Sequence, residues 1–221
     1  MQKIVKTQIG ESMIYSILNQ KGGVGKTTLT VNLAASFARD GARVLLLDAD
    51  PQGSSLDWAA ARETEPLFTV LGLPRPTIHK EIKQLSKDYD YVFIDGPPRV
   101  TDLARSAIMA ADMVLIPVQP SPYDVWAADE VVQLIKEAQI YNEKLKAVFV
   151  INRKITNTAI GRDVGDALSN YDLPVLNNTV SQRVAFAETA AEGKAIYEAA
   201  DKRAAAEIEA IKNELKEFES E

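Results

Sequence analysis

The sequence predicts an α/β domain built on a parallel sheet, and three observations carry that prediction. Short, nearly continuous apolar runs recur at residues 42–47, 91–94, 112–118 and 146–151, as expected of strands buried on both faces. Helical patterns separate them, the clearest at 125–141, where Val131, Leu134, Ile135 and Ala138 share one face. The first apolar run, 13–18, leads into the glycine-rich turn Asn19-Gln20-Lys21-Gly22-Gly23-Val24-Gly25-Lys26 and then an apolar-periodic segment, 29–38. That order is strand, turn, helix.

Composition sets the bounds. A chain of 221 residues is long enough for one α/β domain with a sizeable core. We expect a short extension over 1–12 and a single domain over 13–221. Hydrophobic residues at 46% and charged residues at 25% fit a globular protein. The absence of cysteine excludes disulfides and thiolate metal sites. No apolar run approaches the length of a membrane span, and residues 1–12 lack the apolar stretch of a signal peptide, so a cytoplasmic protein is expected. A net charge of −6 argues against a protein basic all over but leaves room for a local basic patch.

The glycine-rich turn carries chemistry. Gly22, Gly23 and Gly25 let the backbone curl so that its N–H groups, including that of Val24, point at phosphate oxygens. A helix starting near Lys26 adds its dipole and free N–H groups. Lys26 supplies positive charge to the phosphates, Thr27 offers a hydroxyl to Mg²⁺, and Thr28 completes the turn. The pattern departs from the usual phosphate-binding loop: Gln20 stands where a glycine is expected, and Lys21 is an additional lysine. K-G-G-x-G-K-T-T is the deviant Walker A motif, and in it the chain resembles the ParA/MinD family of P-loop ATPases. The resemblance implies that Lys21 reaches across a sandwich dimer to the partner's ATP, which makes it both a catalytic and an ATP-binding candidate beside Lys26.

Further blocks follow in the family's order over residues 13–153. Asp48-Ala49-Asp50-Pro51-Gln52 places two carboxylates at the end of a buried strand, where open α/β sheets bind ligands. The resemblance makes this a switch segment, with Asp50 orienting the attacking water and Asp48 near the metal. The apolar strand 91–94 ends in Asp95, a Walker B pattern whose carboxylate would serve Mg²⁺; Gly96-Pro97-Pro98 resembles the second switch. Residues 119–124 form a proline-rich loop that either approaches the dimer interface, as in the family, or simply stiffens a connection. Asn152 and Arg153 end the strand 146–151, and the resemblance assigns Asn152 to the adenine edge, which an amide can read with paired donor and acceptor. The C-terminal third resembles the family more loosely, through the spacing of Arg183, Phe186, Glu188 and Gly193.

Remaining elements are expected as helices at 56–61, 77–87, 101–110, 159–170 and 199–219, an extended piece around 68–70 and a short strand near 173–176. His79, the one histidine, is expected at the surface and not as a base or metal ligand. The fold the resemblance implies is doubly wound α/β, a mostly parallel twisted sheet with helices on both faces.

The function implied is that of a ParA-type partition ATPase with weak basal activity. It would dimerise with ATP and Mg²⁺, bind nucleoid DNA without sequence preference, and hydrolyse ATP when stimulated by a centromere-binding or cargo-adaptor protein. Candidate DNA contacts are Arg153, Lys154, Arg162, Arg183, Lys194, Lys202 and Arg203. The alternative is positioning of a protein cargo, such as a carboxysome or chemoreceptor cluster, on the nucleoid. A membrane-cycling regulator is disfavoured, because residues 214–221 carry four carboxylates that an anionic leaflet would repel. A metabolic P-loop enzyme is disfavoured by the lack of cysteines for an iron–sulfur cluster and of a substrate motif.

Overall fold

Runs rich in valine, isoleucine and leucine form strands β1 (Met13–Ile17), β2 (Val44–Asp48), β3 (Thr69–Gly72), β4 (Tyr91–Asp95), β5 (Met113–Val118) and β6 (Lys146–Ile151). They pair in the order β3-β2-β4-β1-β5-β6, and every adjacent pair is parallel. The computed structural model describes residues 11–99, 101–155 and 160–220, the side chains of 160–163 lying outside that description. The expected extension, 1–12, therefore falls almost wholly outside the described residues.

The helices are α1 (Lys26–Arg39), α2 (Ser54–Ala61), α3 (Ile78–Leu85), α4 (Asp102–Ala110), α5 (Pro122–Ala127), α6 (Asp129–Gln139), α7 (Ile160–Ser169), α8 (Ala185–Ala191) and α9 (Lys202–Ser220). Strand side chains alternate between two cores, as the period of two demands. Leu45, Leu47, Val92, Ile94, Val114 and Ile116 face α3, α4, α6 and α7. Tyr15, Leu46, Phe93 and Leu115 face α1, α8 and α9, with Phe37 of α1 packed against the Tyr15 and Phe93 rings. Apolar surface buried on both sides explains why the strands read as unbroken apolar runs. This is the doubly wound parallel architecture expected.

The chain winds from β1 out to β2 and β3, returns to insert β4, then continues on the other side of β1 through β5 and β6. The switch point is therefore at β1, and the glycine-rich turn follows it, at the end of the sheet where such folds bind ligands.

Several expectations need correction. The helix expected over 125–141 is two helices, because Pro122 starts α5 early and the Ala128 N–H bonds back three residues to Val125 rather than four, bending the chain there. The strand near 173–176 is a single bridge between Val175 and Phe149; Pro174, lacking an N–H, cannot extend the ladder. The last helix begins at Lys202, where Asp201 caps it by accepting bonds from the backbone N–H groups of Arg203 and Ala204 (3.1 and 3.0 Å). His79 is half-buried, its Nδ1 lying 2.8 Å from the Ser106 hydroxyl.

Candidate nucleotide-binding site

The turn after β1 curls back over the sheet and delivers its last glycine as the cap of α1. Gly25 has φ +89, and a Cβ there would lie 2.3 Å from the Asn152 amide nitrogen, so both conformation and space demand glycine. The turn is strapped in place from three directions. The buried Asn19 donates from Nδ2 to the Pro117 carbonyl (2.8 Å) and accepts from the Lys21 N–H (2.9 Å). Gln119 donates to the Gly23 carbonyl (3.0 Å), and Asn152 donates to the Val24 carbonyl (2.7 Å). A loop fixed this way presents its N–H groups at low reorganisation cost.

Lys26 opens α1 and is only 8% exposed. Burial pushes its pKa down, opposed by the negative charges of Asp95 and Asp50 nearby. Within the described residues it makes no direct ion pair; Asp95 and Asp50 act on it only through space. Asp95 is fully buried at the end of β4, and its pKa is raised to about 6 by burial; hydrogen bonds from Thr27 and Ser55 pull it down, and neighbouring Asp48 pushes it up. Ser55 donates to Asp95 at 2.8 Å. Asp48 stands in register beside Asp95 and is raised chiefly by burial, while accepting the N–H groups of Ser55 and Leu56 at the start of α2 (2.9 and 3.0 Å). Asp50 is half-buried on the next turn and accepts the Gln52 N–H (2.9 Å).

The Thr27 hydroxyl and the Asp48 and Asp95 carboxylates are hard oxygen donors of the kind Mg²⁺ takes, so the donor set fits that ion. Among the described residues no group of three or more His, Cys, Asp or Glu could hold a metal alone. A magnesium ion here would complete its shell with phosphate oxygens and water.

Two cavities open beside the turn. One, of about 810 Å³, is lined by Thr28, Asn152, Arg153, Lys154, Arg183 and Arg203 among others. The other, of about 430 Å³, lies between α1, α2 and α8 and includes Thr27, Asp57, Trp58, Phe186 and Lys194. Of the candidate DNA contacts, Arg153, Lys154, Arg183 and Arg203 thus gather around one cavity, Lys194 lines the second, and Lys202 lines neither. The Arg162 side chain lies outside the described residues.

The geometry bears on the roles of several candidate residues. Arg183 is clamped by Glu207 (2.8 Å) and Asp201 (3.4 Å), so its charge is already neutralised within the chain. Lys194 is likewise paired with Glu192 (2.5 Å). Lys202 and Arg203 are exposed at the start of α9 and make no ion pair among the described residues, which leaves them the better candidates for phosphate contact. Asn152 is buried, with Nδ2 on Val24 and Oδ1 accepting the Arg153 N–H (2.9 Å). Its amide is thus engaged in bracing the turn at the wall of the larger cavity.

The sequence alone missed Asn19, Gln119, Ser55 and Asp124. Asp124 is 2% exposed and pairs with Lys21 at 2.5 Å. These residues act through contacts between distant segments, for which no local pattern exists.

Comparison with known proteins agrees with the fold. The profile of the CobQ/CobB/MinD/ParA nucleotide-binding domain matches residues 15–196. The maintenance of carboxysome distribution protein A of Halothiobacillus neapolitanus is 34% identical over 206 residues, covering 90% of this chain and 94% of that one. The sporulation initiation inhibitor protein Soj of Bacillus subtilis is 30% identical, covering 83% and 89%. The Cyanothece McdA(D38A)–ATP complex superposes with a TM-score of 0.79 at 18% identity over 94% of this chain and 97% of the other, a likeness of fold. With its lysine-bearing glycine turn, paired strand-end aspartates and parallel sheet, the chain belongs to the CobQ/CobB/MinD/ParA nucleotide-binding family and carries its ParA/MinD P-loop ATPase fold.

Proposed function

We propose that the protein is a ParA-type ATPase that dimerises on ATP, rides on nucleoid DNA, and is released when an adaptor protein stimulates hydrolysis, thereby segregating a plasmid or chromosome. The observation that carries this reading is the pair of lysines on one turn. Lys26 is buried beside Asp95 and Asp50, whereas Lys21 is 39% exposed, and that exposure supports a reach toward a second copy's phosphates.

The N–H groups of residues 22–28 and the Lys26 ammonium hold the ATP phosphates. Thr27, Asp48 and Asp95 would hold Mg²⁺, which when bound neutralises phosphate charge and fixes its geometry. Asp50 orients a water for in-line attack on the γ-phosphorus; the new P–O bond forms as the bond to the β–γ bridging oxygen breaks. The described site offers no strong base to that water, which suits a slow basal rate that a partner raises. Arg153, Lys202 and Arg203, doubled in a dimer, supply the DNA surface.

A second reading has a specific observation behind it: the 34% identical relative is a carboxysome distribution protein, so the cargo could be a protein assembly moved by the same cycle. The test is sedimentation and DNA anisotropy with ATP and ADP. ATP-dependent dimerisation that Lys21→Ala abolishes, with DNA binding that tracks the dimer and weakens with salt, supports the reading; a monomer throughout, or equal binding with ADP, overturns it. Pull-down with the product of the adjacent reading frame separates DNA from protein cargo.

A further inference from the structure

We propose that Asp124 is a positioning residue that parks Lys21 inside the nucleotide-free monomer, so that dimerisation requires this lysine to be exchanged from carboxylate to phosphate. The proposal rests on the dimer reading above for its consequence but not for the contact itself.

The geometry is lopsided. The Asp124 side chain is 2% exposed, Lys21 is 39% exposed, and they meet at 2.5 Å. One carboxylate oxygen takes the ammonium, and the other is buried with no hydrogen-bond partner among the described residues. Asp124 sits in the first turn of α5, where the helix dipole favours a carboxylate, and its one side-chain bond among the described residues is to Lys21. The helix N-terminus offsets part of the burial cost of this carboxylate, and the Lys21 ammonium is its one ion-pair partner, so losing the lysine leaves a buried charge without a cation. Lys21 is also restrained at its backbone, its N–H bound to Asn19 Oδ1 (2.9 Å), so the choice open to it is where its side chain points. Asp124 draws it back over its own loop. A triphosphate presented by a second copy offers more negative charge than one carboxylate and wins the lysine; ADP, with less charge and no γ-phosphate, competes less well. The pair therefore raises the threshold for dimerisation and sharpens its dependence on ATP.

The test has two arms on the full-length protein, with Asp124→Asn and Asp124→Ala, both checked for an unchanged thermal melt. In the first, amine acylation of the nucleotide-free monomer is read by mass spectrometry, with the exposed Lys83 as internal reference. Lys21 should react about tenfold more slowly than Lys83 in the wild type and reach its rate in both variants; equal rates in the wild type overturn the proposal. In the second, sedimentation with a non-hydrolysable ATP analogue should show the variants dimerising at about tenfold lower protein concentration than the wild type. A merely structural role for Asp124 predicts the opposite, weaker dimerisation, and that result overturns the proposal. Should the wild type itself remain monomeric, the dimer reading falls, and the acylation arm alone decides the parking contact.

Discussion

Among the described residues two lysines are buried, in two regions, and they are treated in opposite ways. At the nucleotide corner, Lys26 is 8% exposed and makes no ion pair among the described residues. On the far side of α1, Lys212 of α9 is 1% exposed and sits 2.6 Å from both Asp40 and Glu209. Lys212 is a finished contact: it ties the end of α1 to the C-terminal helix, and its charge holds the Asp40 carboxyl below the usual range. Lys26 has no such partner among the described residues, its pKa is pushed down by burial, and on the function proposed above an incoming phosphate would complete it. The difference between the two is a direct ion pair, present at Lys212 and absent at Lys26 among the described residues.

The contrast can be broken most forcefully at Lys26. Lys26→Gln should lower ATP affinity by at least about 100-fold, about 2.7 kcal/mol, with the melting temperature of the unliganded protein unchanged or raised. Calorimetry reads the first and a thermal melt the second. A variant that keeps wild-type affinity would remove Lys26 from the phosphate site.

Asp95 extends the same logic to pH. Burial lifts its pKa from 3.8 to about 6, so the folded state retains a proton that the unfolded chain has already released. The unliganded fold therefore loses stability as the pH rises from about 4 to 6, by about 2–3 kcal/mol from this group. Asp48, raised for the same first reason, acts in the same direction. Asp95→Asn should stabilise the unliganded protein above pH 6 by a comparable amount and remove that part of the slope, while Mg²⁺-dependent ATP binding is lost. Denaturation at pH 4.5 and 7.5, wild type against variant, measures the difference; equal slopes would place Asp95 outside the strained group.

Lys212→Met should do the reverse of Lys26→Gln. It leaves Asp40 and Glu209 without their shared cation, but both are partly exposed and can hydrate, so the loss is about 2 kcal/mol in stability with ATP affinity within about twofold. The smallest effect is expected at the surface. Lys202→Glu with Arg203→Glu should shift stability by no more than about 0.5 kcal/mol yet weaken DNA binding to all sequences and flatten its salt dependence.

What could be read from the sequence was what is local. Strand, glycine turn and helix lie within some thirty residues, and the phosphate cradle needs nothing further to announce itself; the same holds for Asp48 and Asp95, each at the end of its own apolar run. The residues that hold the cradle still are not local. Asn19 reaches Pro117 across 98 positions, Gln119 reaches Gly23 across 96, Lys21 reaches Asp124 across 103, and Asn152 reaches Val24 across 128. No periodicity records such pairings. Arg183 shows the converse: in the sequence it is a cation with no acidic neighbour beside it, and only the return of the chain at Asp201 and α9 reveals the two carboxylates that take its charge.

The place of β1 in the sheet has a consequence for the birth of the protein. This strand is synthesised early, but its neighbours are β4 and β5, with Ile17 opposite Asp95 on one side and Leu115 on the other. On the ribosome the glycine turn emerges about a hundred residues before the segments that flank and strap it. Until then it is a stretch of unpaired chain with no fixed curvature, and ATP in the cell has nothing to grip. Nucleotide binding that depends on the strapped turn is therefore expected to follow closure of the sheet in each newly made molecule.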